Sequence, residues 1–388
     1  MLKVIVDTTP ITIKPSGVGL YVANLIRHLY ELQQAEQFEL GIFYQPALKN
    51  WLKKKSYPDL VEGYENSFFF PYPVRVSNWL LNNIPQVFPL LLDRPLQNYD
   101  LFHGTNFTVY SDRSTVKVMT LYDLTFLRYP QYIDRVVARY YQRVRQCLPW
   151  TDLVVAISES TKQDAIKYLN IAPEKIVVTS LASRYSADYL DSYDLTALKA
   201  TVDYNFEVPY LLFVSTIEPR KNIVTLIKAF NYLKEKYSIE HNLVLIGKKG
   251  WKYQGIFDAI ALSPYNSCIH HLDYLSDELV ALFYKLARVF VYPSYYEGFG
   301  LPVLEAMTLG TPVVCANTAS LPEVVGDAGL QTSPDKPIEL AEAIWRIIDS
   351  KEVQQDLITK GKRQATNFSW EKTARKTLQA YRTVLASF

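Results

Sequence analysis

Cysteine is scarce: three in 388 residues, Cys147, Cys268 and Cys315, far apart and none in a Cys-x-x-Cys. That excludes a disulfide framework and makes a reducing cytoplasm the expected compartment. No apolar run approaches the roughly 18 residues that a membrane-spanning helix needs. The opening MLKVIV is too short for a secretory-signal core and meets Asp7 at once. Net charge is almost absent, +2 from 41 Lys and Arg against 39 Asp and Glu, so no nucleic-acid partner is expected. With five histidines, there is no His-Glu-x-x-His and no His/Cys set at the spacing of a transition-metal site. Neither a metal nor a bound cofactor is expected.

What is present is globular: 49% hydrophobic and 21% charged residues, with 29 Tyr, 18 Phe and 6 Trp. Short Val/Ile/Leu runs alternate with helix-period segments. Strands are expected at Lys3–Val6, Glu39–Tyr44, Val116–Leu121, Leu153–Ile157 and Ile176–Thr179. The second half gives Tyr210–Ser215, Leu243–Ile246, Ile269–Leu272, Val289–Tyr292 and Pro312–Cys315, with helices at 222–237, 276–287, 302–309 and 337–349 between and after them. This β-α alternation implies parallel sheets covered on both faces. A polar stretch at 183–208 lacks strand pattern, so two doubly wound, Rossmann-like domains are expected, 1–183 and 184–369, facing a deep interdomain cleft. Ligands of such sheets bind at the carboxyl ends of the strands.

Three segments carry chemistry. The first is PSYYEGFGLPVLEAMTLGTP, 293–312. Pro302 suits the first turn of a helix, and Gly310 with Pro312 ends it. Gly298 and Gly300 before that helix leave backbone N–H groups exposed at its positive end, a place for phosphate. Glu297 and Glu305 flank the turn. Carboxylates beside a phosphate site make sense when they accept hydrogen bonds from hydroxyls, as a sugar nucleotide requires: Glu305 would hold the ribose and Glu297 the transferred sugar. Taken alone, the same residues also fit a helix cap beside a solvated acid. The second segment, VSTIEPRKN, follows the strand at 210–215 and puts Arg220 and Lys221 where a diphosphate would need cations. The third, KPSGVGL at 14–20, has Gly-x-Gly without the third glycine of a dinucleotide fingerprint, that place being Val22.

These residues resemble family 4 of the retaining glycosyltransferases, which have the GT-B fold. The resemblance is carried by Glu297-Gly-Phe-Gly-Leu-Pro-x-x-Glu305, a Glu-x7-Glu signature, with SGVG near the start, AISESTKQD, STIEPRKN, LDYLSDELVALFYKLARVFVYPS and SLPEVVGDAG. It spans nearly the whole chain and is similar above all to glucosyl- and mannosyltransferases of polysaccharide assembly. It implies that Lys221 with Arg220 clamps the diphosphate and that Glu297 holds the donor sugar. The backbone of Gly298, Phe299, Gly300 and Leu301 would cradle sugar and phosphate, with Glu305 on the ribose. Leu275 and Leu279 would neighbour the base, and Gly17 would reach the donor from the first domain. It further implies a terminal helix from Trp370 packing back on that domain.

Two positions depart from the family. Ser215-Thr216 stands where many members carry Gly-Arg, so Thr216 meets the donor there and Arg220 would supply the cation. Tyr122-Asp123 stands in place of His-Asp, with His103 the nearest substitute in sequence and hence a candidate catalytic residue. The Asp-x-Asp metal signature of the other large glycosyltransferase fold is absent. The expected activity is therefore metal-independent, retaining transfer of a hexose from a nucleotide-diphosphate sugar to a glycan or lipid-linked acceptor. UDP-glucose is favoured narrowly over GDP-mannose. Basic residues beside aromatics in 45–99 (NWLKKKSYPDL, FFFPYPVRV) suit peripheral contact with the inner face of a membrane. The alternatives are a non-catalytic sugar-nucleotide-binding partner subunit, which the Tyr122 departure favours, and an NAD-dependent oxidoreductase, which the incomplete fingerprint disfavours.

Overall fold

A computed structural model describes residues 1–12, 17–52, 64, 66–133 and 135–388. The chain forms two compact units. The first comprises residues 1–130, 134–181 and 369–388; the second comprises 131–133 and 182–368.

The first unit is built on seven parallel strands: β1 (Leu2–Asp7), β2 (Phe38–Tyr44), β3 (Ser67–Phe69), β4 (Leu101–Gly104), β5 (Val116–Leu121), β6 (Leu153–Ala156) and β7 (Ile176–Val178). Their order is β3-β2-β1-β4-β5-β6-β7, the doubly wound arrangement that reverses between β1 and β4. The interior strands β4, β5 and β6 are buried along almost their whole length, as expected of a parallel sheet covered on both faces. Helix α1 (Gly17–Glu36) buries Tyr21, Val22, Leu25, Ile26, Leu29 and Leu32 as one stripe. Two helices in the aromatic-rich region are α2 (Val74–Asn83) and α3 (Phe88–Leu96).

The second unit has six parallel strands: β8 (Tyr210–Val214), β9 (Asn242–Ile246), β10 (Ile269–Leu272), β11 (Val289–Tyr292), β12 (Val313–Ala316) and β13 (Gly329–Thr332). Their order is β10-β9-β8-β11-β12-β13. The crossovers include α4 (Ile223–Tyr237), α5 (Asp277–Leu286) and α6 (Leu301–Thr308). The strand order reverses between β8 and β11, which pair directly. In such sheets the connections leaving two adjacent strands at the reversal run to opposite faces and open a crevice at the strand ends. The segments 215–222 and 293–300 leave those two strands.

The last helix, α7 (Trp370–Leu385), belongs to the first unit and packs along α1. Ser369 caps it by accepting the Lys372 N–H at 3.2 Å, and Arg375 and Arg382 bind Glu36 at the end of α1. Its buried face carries Trp370, Ala374, Leu378 and Tyr381. Three strands escape the sequence reading: β3, β4 and β13. The helix expected at 302–309 begins one residue earlier, at Leu301.

Candidate active site

Lys221 ends a single 3-10 turn, Pro219–Lys221, and the next residue, Asn222, adopts a left-handed conformation that starts α4. The Asn222 side-chain amide donates to the carbonyls of Pro293 (3.0 Å) and Pro334 (2.7 Å). The Tyr295 N–H donates to the Arg220 carbonyl at 3.0 Å. The loop after β8 is thereby laced to the loop after β11. This lacing puts the Lys221 ammonium 2.7 Å from Glu297 Oε1 and 3.0 Å from the Tyr292 hydroxyl. Arg220 adds a second cation, 3.2 Å from Glu297 Oε2 and 2.7 Å from Glu218. Ser294 donates its hydroxyl to Glu297 Oε1 at 2.6 Å.

Lys221, Glu218 and Glu297 are all buried. Burial alone would raise the Glu297 pKa, but the charges of Lys221 and Arg220 and the bonds from Lys221 and Ser294 bring it down to about 2. Glu297 is therefore a carboxylate at neutral pH. Burial, then the adjacent Arg220, pulls the Lys221 ammonium below its ordinary value despite both glutamates. Two cations are thus held side by side by two acids.

Beyond Glu297 the chain turns at Gly300, whose φ of +111° is left-handed, and a Cβ there would meet Leu321 at 2.8 Å. Gly300 therefore supplies an N-cap without a side chain, and no side chain caps α6. The Ser320 hydroxyl pins the loop from below, 2.6 Å from the Phe299 carbonyl and 2.9 Å from that of Glu297. Phe299 is buried against Phe368. The backbone of 298–301 is consequently held in one shape at the positive end of a helix.

Glu305, in the second turn of α6, is buried, and its carboxylate is gripped by Arg184. Arg184 also binds Asp277 at the start of α5. Leu279 is buried in α5, Leu275 is half-buried just before it, and Thr216 is exposed beyond β8. The structure therefore brings Arg220, Lys221 and Glu297 into direct contact and joins Glu305 to α5 through Arg184. Arg184, Tyr292, Ser294 and Ser320 were missed in the sequence. Only the position of Tyr292 and Ser294 around the end of β11 could have marked them; Arg184 lies in a stretch that reads as a linker.

In the first unit, Gly17 opens α1 and is exposed, while Lys14–Ser16 lie outside the described residues. His103 is corrected. It is fully buried in β4, with Nδ1 2.6 Å from the Tyr381 hydroxyl and Nε2 2.8 Å from Thr120 Oγ1. Burial pushes its pKa down to about 3. With both nitrogens occupied and the ring neutral, His103 joins the sheet to α7, an arrangement that fits a structural role. Tyr122 is no substitute either, since its hydroxyl donates to the Thr105 carbonyl inside the core. His103→Ala, which strands two buried hydroxyls, should cost about 2–4 kcal/mol of stability. Turnover of the folded protein should stay within about threefold. Thermal melting and steady-state rates check this; a large rate loss at unchanged melting temperature would restore a catalytic role.

Two doubly wound parallel sheets, with a laced cation-carboxylate cluster and a glycine-capped helix at the switch point of the second, make up the GT-B fold of glycosyltransferases. Residues 15–181 match the Glycosyltransferase Family 4 model, and residues 199–364 match that of Glycosyl transferases group 1. O-antigen chain mannosyltransferase B of Escherichia coli is 31% identical over 386 residues, 98% of this chain and 100% of that protein. MMP alpha-(1->4)-mannosyltransferase of Mycolicibacterium hassiacum is 33% identical over 172 residues, 43% of this chain and 41% of that one. Among solved structures, sucrose-phosphate synthase from Thermosynechococcus elongatus superposes with a TM-score of 0.75 at 20% identity, covering 100% of both chains. Anabaena HepE in complex with UDP-glucose gives 0.70 at 17%, covering 99% of this chain and 100% of that one. The chain belongs to glycosyltransferase family 4. It is a transferase, and the oxidoreductase and non-catalytic readings are set aside.

Proposed function

We propose that the chain transfers a hexose from a nucleotide-diphosphate sugar to a glycan or lipid-linked saccharide in polysaccharide assembly, with retention of configuration and without a metal ion. The observation that carries this is the Lys221–Glu297–Arg220 cluster beside the uncapped start of α6. When the bond from the anomeric carbon to the phosphate oxygen breaks, its electron pair goes to the diphosphate. Lys221, Arg220 and the positive end of α6 stabilise that charge. The acceptor hydroxyl forms the new bond on the same face and hands its proton to the departing phosphate. Glu297, pinned by Lys221 and Ser294, accepts hydrogen bonds from the donor sugar. Arrival of a diphosphate relieves the strain between the two cations.

The sequence favours UDP-glucose narrowly, with no decisive residue. The similarity to a mannosyltransferase along nearly the whole chain supports GDP-mannose instead, and we adopt that donor. The acceptor side falls to the first unit, as the resemblance implies. The aromatic-rich region there exposes Trp51, Leu52, Tyr72, Val76, Trp79, Ile84 and Leu90, which supports peripheral contact with an anionic membrane. Lys53–Lys55, read with it as a basic run, lie outside the described residues. Among the described residues no helix is long and apolar enough to cross a membrane.

Lys221→Ala and Glu297→Ala should each lower turnover by at least about a hundredfold, the scale of losing one preorganised group. Transfer assays with GDP-mannose and UDP-glucose on folded protein check this. GDP-mannose should be used in preference and the new linkage should keep the donor's anomeric configuration; an inverted product or near-normal turnover in either variant contradicts the reading. Trp79→Asp with Leu90→Asp should reduce salt-sensitive binding to anionic liposomes about tenfold or more. Sedimentation showing no such binding by the unmodified chain would remove the membrane contact.

A further inference from the structure

Arg184 lies three residues beyond the point where the chain leaves the first unit, in a stretch whose composition reads as a connection. Each of its three guanidinium nitrogens nonetheless donates to a partner within the second unit. Nε donates to Glu305 Oε1 at 2.8 Å, Nη2 to Glu305 Oε2 at 3.3 Å, and Nη1 to Asp277 Oδ1 at 2.9 Å. Asp277 is the first residue of α5 and falls between Leu275 and Leu279. The next residue strengthens the same tie, since the Tyr185 hydroxyl donates to the Asp277 carbonyl at 3.1 Å. From the other side the Tyr284 hydroxyl reaches Glu305 Oε2 at 3.4 Å. One side chain thus staples the helix assigned to the ribose to the helix assigned to the base.

We propose that Arg184 is a positioning residue for the nucleoside half of the donor site, a role that rests on the donor-site reading of Glu305 and of 275–279 given above. Two consequences follow from the geometry. The Glu305 carboxylate has about four lone-pair directions, and Arg184 and Tyr284 take three, which fixes the plane of the carboxylate and aims what remains. Arg184 also offsets the charge of a buried acid on the same helix that receives the diphosphate, so Glu305 serves a ribose hydroxyl without repelling the phosphates. Lysine cannot replace it, because a single ammonium does not span both oxygens of Glu305 and Asp277 together.

The test uses the full chain carrying Arg184→Ala, Arg184→Lys, Glu305→Gln or Arg184→Ala with Glu305→Gln. GDP and UDP are titrated calorimetrically, with donor KM, kcat and melting temperature measured alongside. Arg184→Ala should raise the nucleotide Kd and the donor KM by about tenfold or more, the loss of one charge-assisted tie, while kcat changes less than about threefold. Arg184→Lys should recover the melting temperature but leave Kd at least about fivefold weakened, which keeps the test decisive should the alanine variant not fold. The double variant should bind no more weakly than Glu305→Gln alone. If Glu305→Gln weakens nucleotide binding but neither Arg184 variant does, the role of Arg184 is overturned and the donor-site reading stands. If Glu305→Gln itself leaves binding unchanged, the donor-site reading fails and this inference with it.

Discussion

Glu297 and Lys221 meet at 2.7 Å in a place where neither reaches bulk water freely. A buried carboxylate alone would neutralise itself by taking a proton, and a buried ammonium by losing one. Together, with Arg220 against the second carboxylate oxygen and Glu218 behind Arg220, each holds the other charged. Such a cluster adds little to stability, because desolvation offsets most of the attraction. What it provides is charge at fixed positions, the condition under which a preorganised cation acts on a leaving group.

The cluster exists only because the sheet reverses between β8 and β11. Loops from two adjacent parallel strands must part to opposite faces there, and the sequence then stitches them back at chosen points. Asn222 reaches across to Pro293 and Pro334, Tyr295 to Arg220, and Ser320 to the carbonyls on either side of Gly298. Each stitch ties a backbone carbonyl of one loop to a group of another. The same stitches set the reach of Lys221 toward Glu297. Fold and site are here consequences of one another.

Much of this was legible in the residues. Runs of apolar, β-favouring residues such as β8 and β11 announce themselves, and so does α6, bounded by glycine and proline. The missed strands fail for separate physical reasons. β4 contains His103 and Gly104, while β3 is an edge strand of three residues that opens on exposed Ser67 and β13 is an edge strand with Gly329 and exposed Gln331. Of the site, Glu297, Lys221 and Arg220 were visible because they flank strand ends. His103 is a candidate in the sequence only as the nearest histidine to the departure at Tyr122; its surroundings reveal that Tyr381, 278 residues later, takes one nitrogen and Thr120 the other. Arg184 was invisible, since its partners lie 93 and 121 residues away and no local pattern encodes such a tie.

The most direct test of the central claim compares GDP with guanosine as ligands of the unmodified chain and of Lys221→Met, each titrated calorimetrically. If the cluster after β8 and β11 is the seat of the diphosphate, GDP binds the unmodified chain far more tightly than guanosine does, and Lys221→Met erases most of that difference while leaving guanosine affinity in place. An advantage of GDP over guanosine that is undiminished in Lys221→Met would show that the phosphates bind elsewhere and contradict the account.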